Sequence, residues 1–501
     1  MKRIAYGVLL LLGLALRGNA QQQPVRLSLA DALARVENAS PTIGLARAGV
    51  AGAHADWLRT RSSELPQLSG SASYTRTLAS QFSGFASSTS SDSFAKPVNC
   101  GHYAPLPGLP IAARIDSLER GLDCAANGSS LDFSSLPFGR KNNWTLGLAA
   151  SQSLFDPKMS GLMSAARAGE ERAAVELDAQ RAQAKLDVAQ AYLDVQLAER
   201  LLEIADSTLA QAQRTFEQTR LERQVGNAAE FDQLRASVAR DNQNPVVIQR
   251  RAQRDQAVLR LRQLLDLPNG ASLVLVTPLG DTATTVPPPL APQFGGVSDT
   301  AIAQRAPVRG ASASLRASDG QVSAAKATRL PTLSVSSAFA EIAYPSQVFS
   351  FDKFLTDWTV GVRLDVPIFT GGRSHAGVLA AEATRDASAF RLKQAQQQAQ
   401  REVQDVTLLL ASAQAVWQSV QGTVAQAARA YSIAELRYRN GLSTLTEVGE
   451  ARLQLGQAQA NRAQAARDFQ IARIRAALLR DLPFGVSGSM PSASTGAPGT
   501  E

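Results

Sequence analysis

Two parts of the sequence repeat each other, and this duplication limits the folds that the chain can adopt. The stretch WTLGL at residues 144–148 recurs as WTVGV at residues 358–362, which lie 214 positions later. SLF at 153–155 recurs as PIF at 367–369 with the same offset. A chain that contains one unit twice is expected to form a repeated architecture.

A second repeated motif locates an insertion in the first copy. LPQLS at residues 65–69 recurs as LPTLS at 330–334, an offset of 265 positions. The two offsets differ by 51 residues, so the first copy carries about that many extra residues between its LPQLS and WTLGL motifs. The insertion contains both cysteines, Cys100 and Cys124.

Each copy contains the same predicted elements in the same order: helix, strand, loop, strand, long helix, turn and a second long helix. In the first copy, the helix covers about residues 29–61, and the strands cover 68–78 and 144–154. The predicted divisions are a signal peptide at 1–20, a first repeat at 21–280 with a long loop at 79–142 and a helical hairpin at 157–266, a Pro/Gly-rich linker at 281–297, a second repeat at 298–484 with a helical hairpin at 372–480, and a disordered tail at 485–501.

The first 20 residues predict export. Lys2 and Arg3 precede an apolar run at 4–16, and small residues follow up to Ala20, where we expect cleavage. This run is too short to span a bilayer as a helix. No later window provides about 18 uncharged apolar residues. Any membrane crossing by the processed chain therefore has to use strands.

Charge and composition argue against several classes of protein. The net charge of +8 arises from 51 basic and 43 acidic residues that are interspersed, which is typical of a solvated surface and predicts no nucleic-acid partner. Export favours a disulfide between Cys100 and Cys124, with two free thiols in a flexible loop as the alternative. The three histidines lack ligand-like spacing, so we expect no metal and no cofactor. The absence of P-loop and G-x-S-x-G motifs argues against an enzyme.

The predicted strands alternate between apolar and polar residues, which a half-buried sheet on a soluble core would also show. Strand length, export and the positions of Trp144 and Trp358 near strand ends favour a lipid-facing sheet with these tryptophans at the membrane interface. Four strands cannot close a barrel, and an open edge is not tolerated in hydrocarbon, so several chains must share one barrel. The apolar face is predicted to carry Trp144, Leu146, Leu148, Ala150 and Leu154 in the first copy and Trp358, Val360, Val362, Leu364, Val366 and Ile368 in the second.

The long helices carry heptads with a large residue at one seam position and mostly a small residue at the other. Such helices usually form rods or dimeric stalks, but a shared barrel favours a ring of helices that encloses a tunnel. Gly226 and Gly441 are expected to end the outgoing helices in the left-handed conformation. The seam is predicted at Val188, Ala191, Val195, Ala198, Leu202, Ala205, Leu209, Ala212 and Phe216, and again at Val403, Val406, Leu410, Ala413, Trp417, Val420, Val424, Ala427, Tyr431 and Ala434.

The chain resembles the TolC-like outer membrane factors, or outer membrane efflux proteins, from Leu27 to about Phe484. The resemblance rests on the doubled layout, the paired Trp strands, the LPxLS motifs and the turn YRNG at 438–441. It implies a mainly α protein of the outer membrane of a diderm bacterium. Three copies would share a 12-stranded β-barrel, with four strands from each chain, continuous with a coiled-coil tunnel through the periplasm. The tip turns at Gly226 and Gly441 would dock a periplasmic adaptor, which links the channel to an inner membrane pump for efflux or type I secretion.

The resemblance also implies a gate at the periplasmic end of the tunnel. Glu447 and Glu450 match its acidic pair, and Tyr438 and Asp232 match a tyrosine and its aspartate partner that link neighbouring hairpins. A ring of such carboxylates attracts cations. The alternative is that the two glutamates are ordinary solvated helix residues. Two positions depart from the family pattern, namely Ser443, where an arginine is expected, and its partner position Phe231.

The alternative to a channel is a structural or adaptor coiled coil of the cell envelope without its own pore. Such a protein should lack two pairs of alternating strands with tryptophan near their ends. This chain has them, so the sequence favours the channel.

Overall fold

A computed structural model describes residues 25–78, 108–127, 142–226, 228–268, 273–280, 299–345, 347–348 and 353–485. The chain divides into two compact units, one built mainly from the long helices and the other around a four-stranded sheet. The strands are β1 (Val25–Leu27), β2 (Gln67–Arg76), β3 (Asn142–Phe155), β4 (Leu273–Leu275), β5 (Thr332–Ala343) and β6 (Leu355–Asp365). The helices are α1 (Leu29–Ala39), α2 (Pro41–Ser62), α3 (Ile111–Asn127), α4 (Lys158–Gln224), α5 (Glu230–Asp241), α6 (Gln243–Leu264), α7 (Asp299–Ala303), α8 (Ala306–Ala327), α9 (Arg373–Ser419), α10 (Thr423–Arg439) and α11 (Leu445–Leu478).

The sheet has the order β2-β3-β5-β6, and every neighbouring pair is antiparallel. The two repeats therefore meet at the pairing of β3 with β5. The predicted alternation is confirmed, because paired residues share a face and the register brings the apolar positions of all four strands together. One face carries Tyr74, Trp144, Leu146, Leu148, Val335, Phe339, Trp358, Val360, Val362 and Leu364, and the other carries mainly Ser, Thr, Gly and Ala.

Three details of the predicted strands are wrong. β2 ends at Arg76 and not at residue 78. β6 ends at Asp365, so Val366 and Ile368 lie beyond the strand. Pro367 has no amide hydrogen to donate, which agrees with an end to the pairing here. In β3 a bulge between Ser153 and Phe155 shifts the register, so that Phe155, and not Leu154, lies opposite Leu333 on the apolar face.

The first long helix is confirmed. α4 contains 67 residues, which corresponds to a length of roughly 100 Å. Its predicted seam faces neighbouring helices: Val188, Ala191 and Val195 are at most 2% exposed. Leu202 and Phe216 are half-buried, so the seam continues toward the far end with looser packing.

The second outgoing helix was expected to be continuous, but it is interrupted. α9 ends at Ser419 and α10 begins at Thr423, and the intervening segment contains Gly422, a poor helix former. The first return helix is also divided, at Asn242. Each hairpin therefore combines one continuous helix with one interrupted helix, and the predicted seam positions of the second copy remain buried or half-buried.

The helix predicted at 29–61 is also two helices, α1 and α2. Pro41 is the first residue of α2, a position where the missing amide hydrogen costs nothing. The residue before a proline avoids the helical region, and Ser40 is extended with a ψ of 119°. The break therefore follows from local chemistry.

A short parallel pair closes the main core of the helical unit. β1 pairs with β4, and the Tyr192 hydroxyl donates to the Leu27 carbonyl oxygen at 3.0 Å and accepts from the Thr277 amide at 3.2 Å. Tyr192 is fully buried. The surrounding core contains Leu29, Ala32, Val36, Ile43, Leu186, Val188, Leu261, Leu265, Ile474 and Leu482.

A buried arginine holds the end of α11 against the start of α8. Arg305 is 2% exposed and pairs with Glu402 at 2.7 Å. Its guanidinium also donates to the carbonyl oxygens of Leu479 and Leu482. A buried charge is tolerated only when it is paired and hydrogen-bonded in this way.

Helices α4 and α8 cross in very close contact at two glycines. A Cβ at Gly161 would lie 2.5 Å from the Gly320 carbonyl oxygen, and a Cβ at Gly320 would lie 2.6 Å from the Gly161 carbonyl oxygen. Each glycine is followed four residues later by an alanine, Ala165 or Ala324, that lies in the same crossing. Small residues at this spacing allow the two backbones to touch.

We predict that Gly161→Ala lowers the melting temperature of the purified protein, because overpacking typically costs about 1–3 kcal/mol. The matched control is Gly169→Ala on the same helix, where a Cβ meets no atom within 4 Å. There the better helix propensity of alanine is expected to leave stability unchanged or slightly raised. Circular dichroism during heating measures both. Equal melting temperatures for the two variants would contradict the close crossing.

Candidate functional site

The apolar face of the sheet is exposed. Trp358, Val360, Val362 and Leu364 are each between 63% and 70% exposed, and they form a row along β6. Apolar surfaces of this kind mark sites of contact with a membrane or a partner. The opposite face, which consists mainly of Ser, Thr, Ala and Gly residues, is suited to water.

Both predicted interface tryptophans lie toward the end of the sheet that adjoins the β2–β3 and β5–β6 connections. Trp144 Nε1 donates to the Val348 carbonyl oxygen at 2.9 Å, and its ring lies 4.8 Å from the ring of Tyr74. Trp358 Nε1 donates to Ser337 Oγ at 3.0 Å. With the indole N–H groups satisfied, the rings can remain in an apolar surrounding.

The sheet also has two free edges. Among the described residues, β2 and β6 each pair on one side only. Their outer edges present unpaired N–H and C=O groups, which are a template for pairing with another strand. β2 contains 10 residues and β6 contains 11, the length that crosses a bilayer when tilted.

The hairpin tips have the predicted geometry. Gly226 has a φ of 84° and Gly441 a φ of 68°, both in the left-handed region. At the second tip, the Gly441 amide donates to the Tyr438 carbonyl oxygen at 2.9 Å and the Leu442 amide to the Arg437 carbonyl oxygen at 2.8 Å. These bonds satisfy the last carbonyl groups of α10.

Tyr438 connects the two hairpins near their tips. Its phenol interacts with the side chain of Thr219 on α4, which is 1% exposed and donates its hydroxyl to the Thr215 carbonyl oxygen at 2.9 Å. Burial raises the pKa of Tyr438, the interaction with Thr219 lowers it, and the carboxylates of Glu222 and Asp232 raise it. Tyr438 is therefore close to both Thr219 and Asp232.

The predicted acidic pair has two different surroundings. Glu447 lies in the first turn of α11, where its amide donates to Thr444 Oγ1 and its carboxylate accepts from Ser443 Oγ at 2.7 Å. Ser443, at the position where the family resemblance predicts an arginine, thus binds the glutamate directly. Glu450 is exposed and lines a cavity between the hairpins.

This cavity, of about 370 Å³, is lined by residues of α4, α5, α10 and α11. Two of its residues are Tyr431 and Arg452. The sequence predicted a seam position for Tyr431 and no role for Arg452. The Tyr431 hydroxyl is buried and has no hydrogen-bonding partner among the described residues, and burial raises its pKa. Burial lowers the pKa of Arg452, whose charge lies near that phenol.

Several expectations concern residues that the structure does not describe. Cys100, the signal peptide, the linker and most of the tail lie outside the described ranges, so the disulfide with Cys124 stays a prediction. Phe231 is described and is 69% exposed.

Within the described ranges, no cluster of His, Cys, Asp or Glu could hold a metal ion. Of the described helices, none is long and apolar enough to cross a membrane.

Comparison with known proteins gives the family. The profile of the family Outer membrane efflux protein matches residues 121–266 and 297–479, which is more than half of the chain. The two matched ranges lie in the two copies of the doubled chain and include both long helical hairpins. The chain belongs to the outer membrane efflux protein family, as its sequence predicted.

Two curated relatives come from Pseudomonas putida: the probable efflux pump outer membrane protein SepC and the toluene efflux pump outer membrane protein TtgF. Each is 26% identical over 275 residues, which is 54% of this chain and 55% of the relative. The match to these curated relatives thus spans about half of their length.

Solved structures share the fold over most of the chain. The Campylobacter jejuni CmeC outer membrane channel superposes with a TM-score of 0.68 at 16% identity and covers 91% of this chain and 86% of its own. The Vibrio cholerae outer membrane protein VceC gives a TM-score of 0.64 at 19% identity, covering 90% of this chain and 95% of its own.

We predict that Tyr438→Phe loosens the tip of the second hairpin. The variant removes the hydroxyl that interacts with buried Thr219, and a polar interaction of this kind contributes about 0.5–1.5 kcal/mol. Hydrogen exchange followed by mass spectrometry should show faster exchange in peptides around residues 436–446. Tyr431→Phe is the control, since its hydroxyl has no hydrogen-bonding partner among the described residues, and it should exchange at the wild-type rate. Equal exchange in both variants would show that the Tyr438 hydroxyl does not stabilise the tip.

Proposed function

We propose that three copies of this chain form an outer membrane channel with a periplasmic tunnel. Substrates expelled by an inner membrane pump and its periplasmic adaptor would pass through it, in efflux or in type I secretion. The observation that carries the proposal is the four-stranded sheet with an exposed apolar face and two free edges. Three such sheets supply twelve strands, enough to close a barrel without an edge in the lipid. The names of the curated relatives support efflux.

The same observation weighs against a coiled-coil envelope protein without a pore. Such a protein is not expected to contain strands of membrane-crossing length with a row of exposed apolar side chains. The polar face of the sheet is suited to line an aqueous pore, while Trp144 and Trp358 are placed to lie at the lipid interface.

The hairpin tips are assigned to the periplasmic end of the channel. Gly226 and Gly441 would present the turns to the adaptor. Three copies of Glu447 and Glu450 near the axis would form a carboxylate ring that attracts cations, and the Tyr438 and Asp232 region would hold the hairpins together. The Ser443–Glu447 hydrogen bond would take part of the role of the missing arginine.

The barrel is tested by a charge placed on each face of the sheet. Val362→Lys puts a lysine on the apolar face, where the cost at mid-bilayer is about 2–4 kcal/mol, and is expected to reduce the trimer recovered from outer membranes. Ser336→Lys on the polar face is the control and should assemble normally. The measurement is the heat-modifiable trimer on a gel after carbonate washing. Equal assembly of the two variants, or a monomer that is fully released by carbonate, would overturn the proposed channel.

The gate is tested by single-channel recording in a planar bilayer. Glu447→Ala combined with Glu450→Ala is expected to weaken block by divalent cations, because the carboxylate ring that attracts them is lost. The double variant is also expected to raise conductance, because the smaller side chains widen the constriction. Glu203→Ala is the control, since its carboxylate pairs with Arg200 on the exposed surface of α4. If the double variant keeps wild-type conductance and cation block, these glutamates do not form the gate.

A further inference from the structure

The insertion of the first copy contains a helix with a row of exposed apolar side chains. Helix α3 lies between β2 and β3, in the segment predicted as a long loop. Ile111 is 74% exposed, Ile115 50%, Leu118 46% and Leu122 69%. In water, a helix with four such residues exposed needs a partner surface.

The spacing of these residues identifies the kind of surface. They follow one another at intervals of four, three and four residues, which is a heptad seam with alternating d and a positions. A helix that lies on a membrane usually has a broader apolar face and a basic polar face. The narrow seam of α3 is typical of packing against other helices.

The charges beside the seam identify the orientation of the partner. With Ile115 at position a, Arg114 occupies position g and Glu119 the following position e. In a parallel coiled coil, a g residue faces the next e residue of the neighbouring helix. A parallel second copy of α3 would therefore set Arg114 against Glu119. Arg120 and Asp116 pair within the helix and lie away from the seam.

We propose that the three copies of α3 in the trimer pack through this seam into a parallel bundle that caps the extracellular mouth of the channel. The inference rests on the proposed trimer, which has a threefold axis. Copies related by that axis and aligned along it run parallel, as the Arg114–Glu119 pairing requires. The seam, with isoleucine at both a and d in its first turn, is compatible with three strands.

The connections to the sheet are long enough. Residues 128–141 join α3 to β3, and 14 extended residues span at most about 48 Å. Twelve strands spaced about 4.8 Å apart and tilted by about 40° enclose a barrel with a radius of roughly 12 Å. Each α3 can therefore reach the axis from its own strand.

The attachment to the sheet also explains how a short seam can assemble. α3 has 17 residues, and helices of this length are only marginally stable alone in water. Three copies of α3 tethered around one pore are present at a high effective concentration. This favours their association even though the contact surface of each helix is small. The bundle should therefore form in the trimer and not from an isolated α3 peptide.

The lipopolysaccharide surface is a weaker candidate for the partner. Outside the seam, α3 carries two basic residues, Arg114 and Arg120, and three acidic residues, Asp116, Glu119 and Asp123. This face has no excess of positive charge with which to bind a polyanionic surface.

Crosslinking tests the bundle in the full-length trimer. In a background with Cys100→Ser and Cys124→Ser, Leu118→Cys places a thiol on the seam and Ala113→Cys places one on the outer side of α3. A short bismaleimide should convert the seam variant to covalent dimers and trimers with severalfold higher yield than the outer variant. Arg114→Glu should reduce the yield, and the exchange Arg114→Glu with Glu119→Arg should restore it.

Conductance provides a second readout with the native cysteines in place. Ile115→Asp combined with Leu118→Asp should raise single-channel conductance severalfold by dispersing the cap. An intact heat-modifiable trimer in which both thiols crosslink equally, or neither does, and whose conductance is unchanged by the aspartates, would overturn the cap and leave the channel standing. A chain that forms no trimer would overturn the proposed channel together with the cap.

Discussion

The unpaired edges of the four-stranded sheet are the constraint on which the rest depends. Backbone N–H and C=O groups need partners, and hydrocarbon provides none. β2 and β6 pair on one side only within the described chain, and the apolar face between them is exposed. A single chain with these properties is incomplete in a membrane. Pooling strands between copies would resolve this, and it would place the polar face of each sheet around a common interior.

The helical unit is held by a different kind of contact. Small residues allow close approach, as at Gly161 and Gly320, and a seam of large and small residues runs along α4. The Arg305–Glu402 pair and the β1–β4 pairing tie distant parts of the chain to this framework. Each hairpin then combines one continuous helix with one divided helix, but the divided helix is the return helix in the first copy and the outgoing helix in the second, so the two copies are not identical in structure.

At the tips, single residues serve both the fold and the proposed gate. Glu447 accepts from Ser443 and donates its amide to Thr444, so it stabilises the start of α11 while its carboxylate remains exposed. Tyr438 likewise interacts with buried Thr219 and lies near the charge of Asp232. A change in charge here acts on the ends of helices, which are the parts of a helix most easily loosened.

Local periodicity in the sequence determined which faces of the elements are apolar. A period of two predicted the faces of the strands, and a period of seven predicted the seam of α4, because side-chain direction follows directly from backbone geometry. The sequence also located the tip turns through Gly226 and Gly441. The family resemblance added the trimer and the candidate gate residues.

Tertiary structure decided the contacts between residues that are far apart in the chain. The bond from the Leu29 amide to Thr277 Oγ1 joins residues separated by 248 positions, and no periodic pattern encodes such a partner. The same holds for the approach of Tyr438 to Thr219 on the other hairpin and for the bulge before Phe155. The helix α3 fell within a segment rich in Gly, Ser and Pro, whose composition concealed its short heptad. Periodic faces are local properties of a chain, whereas pairing depends on which surfaces packing brings together.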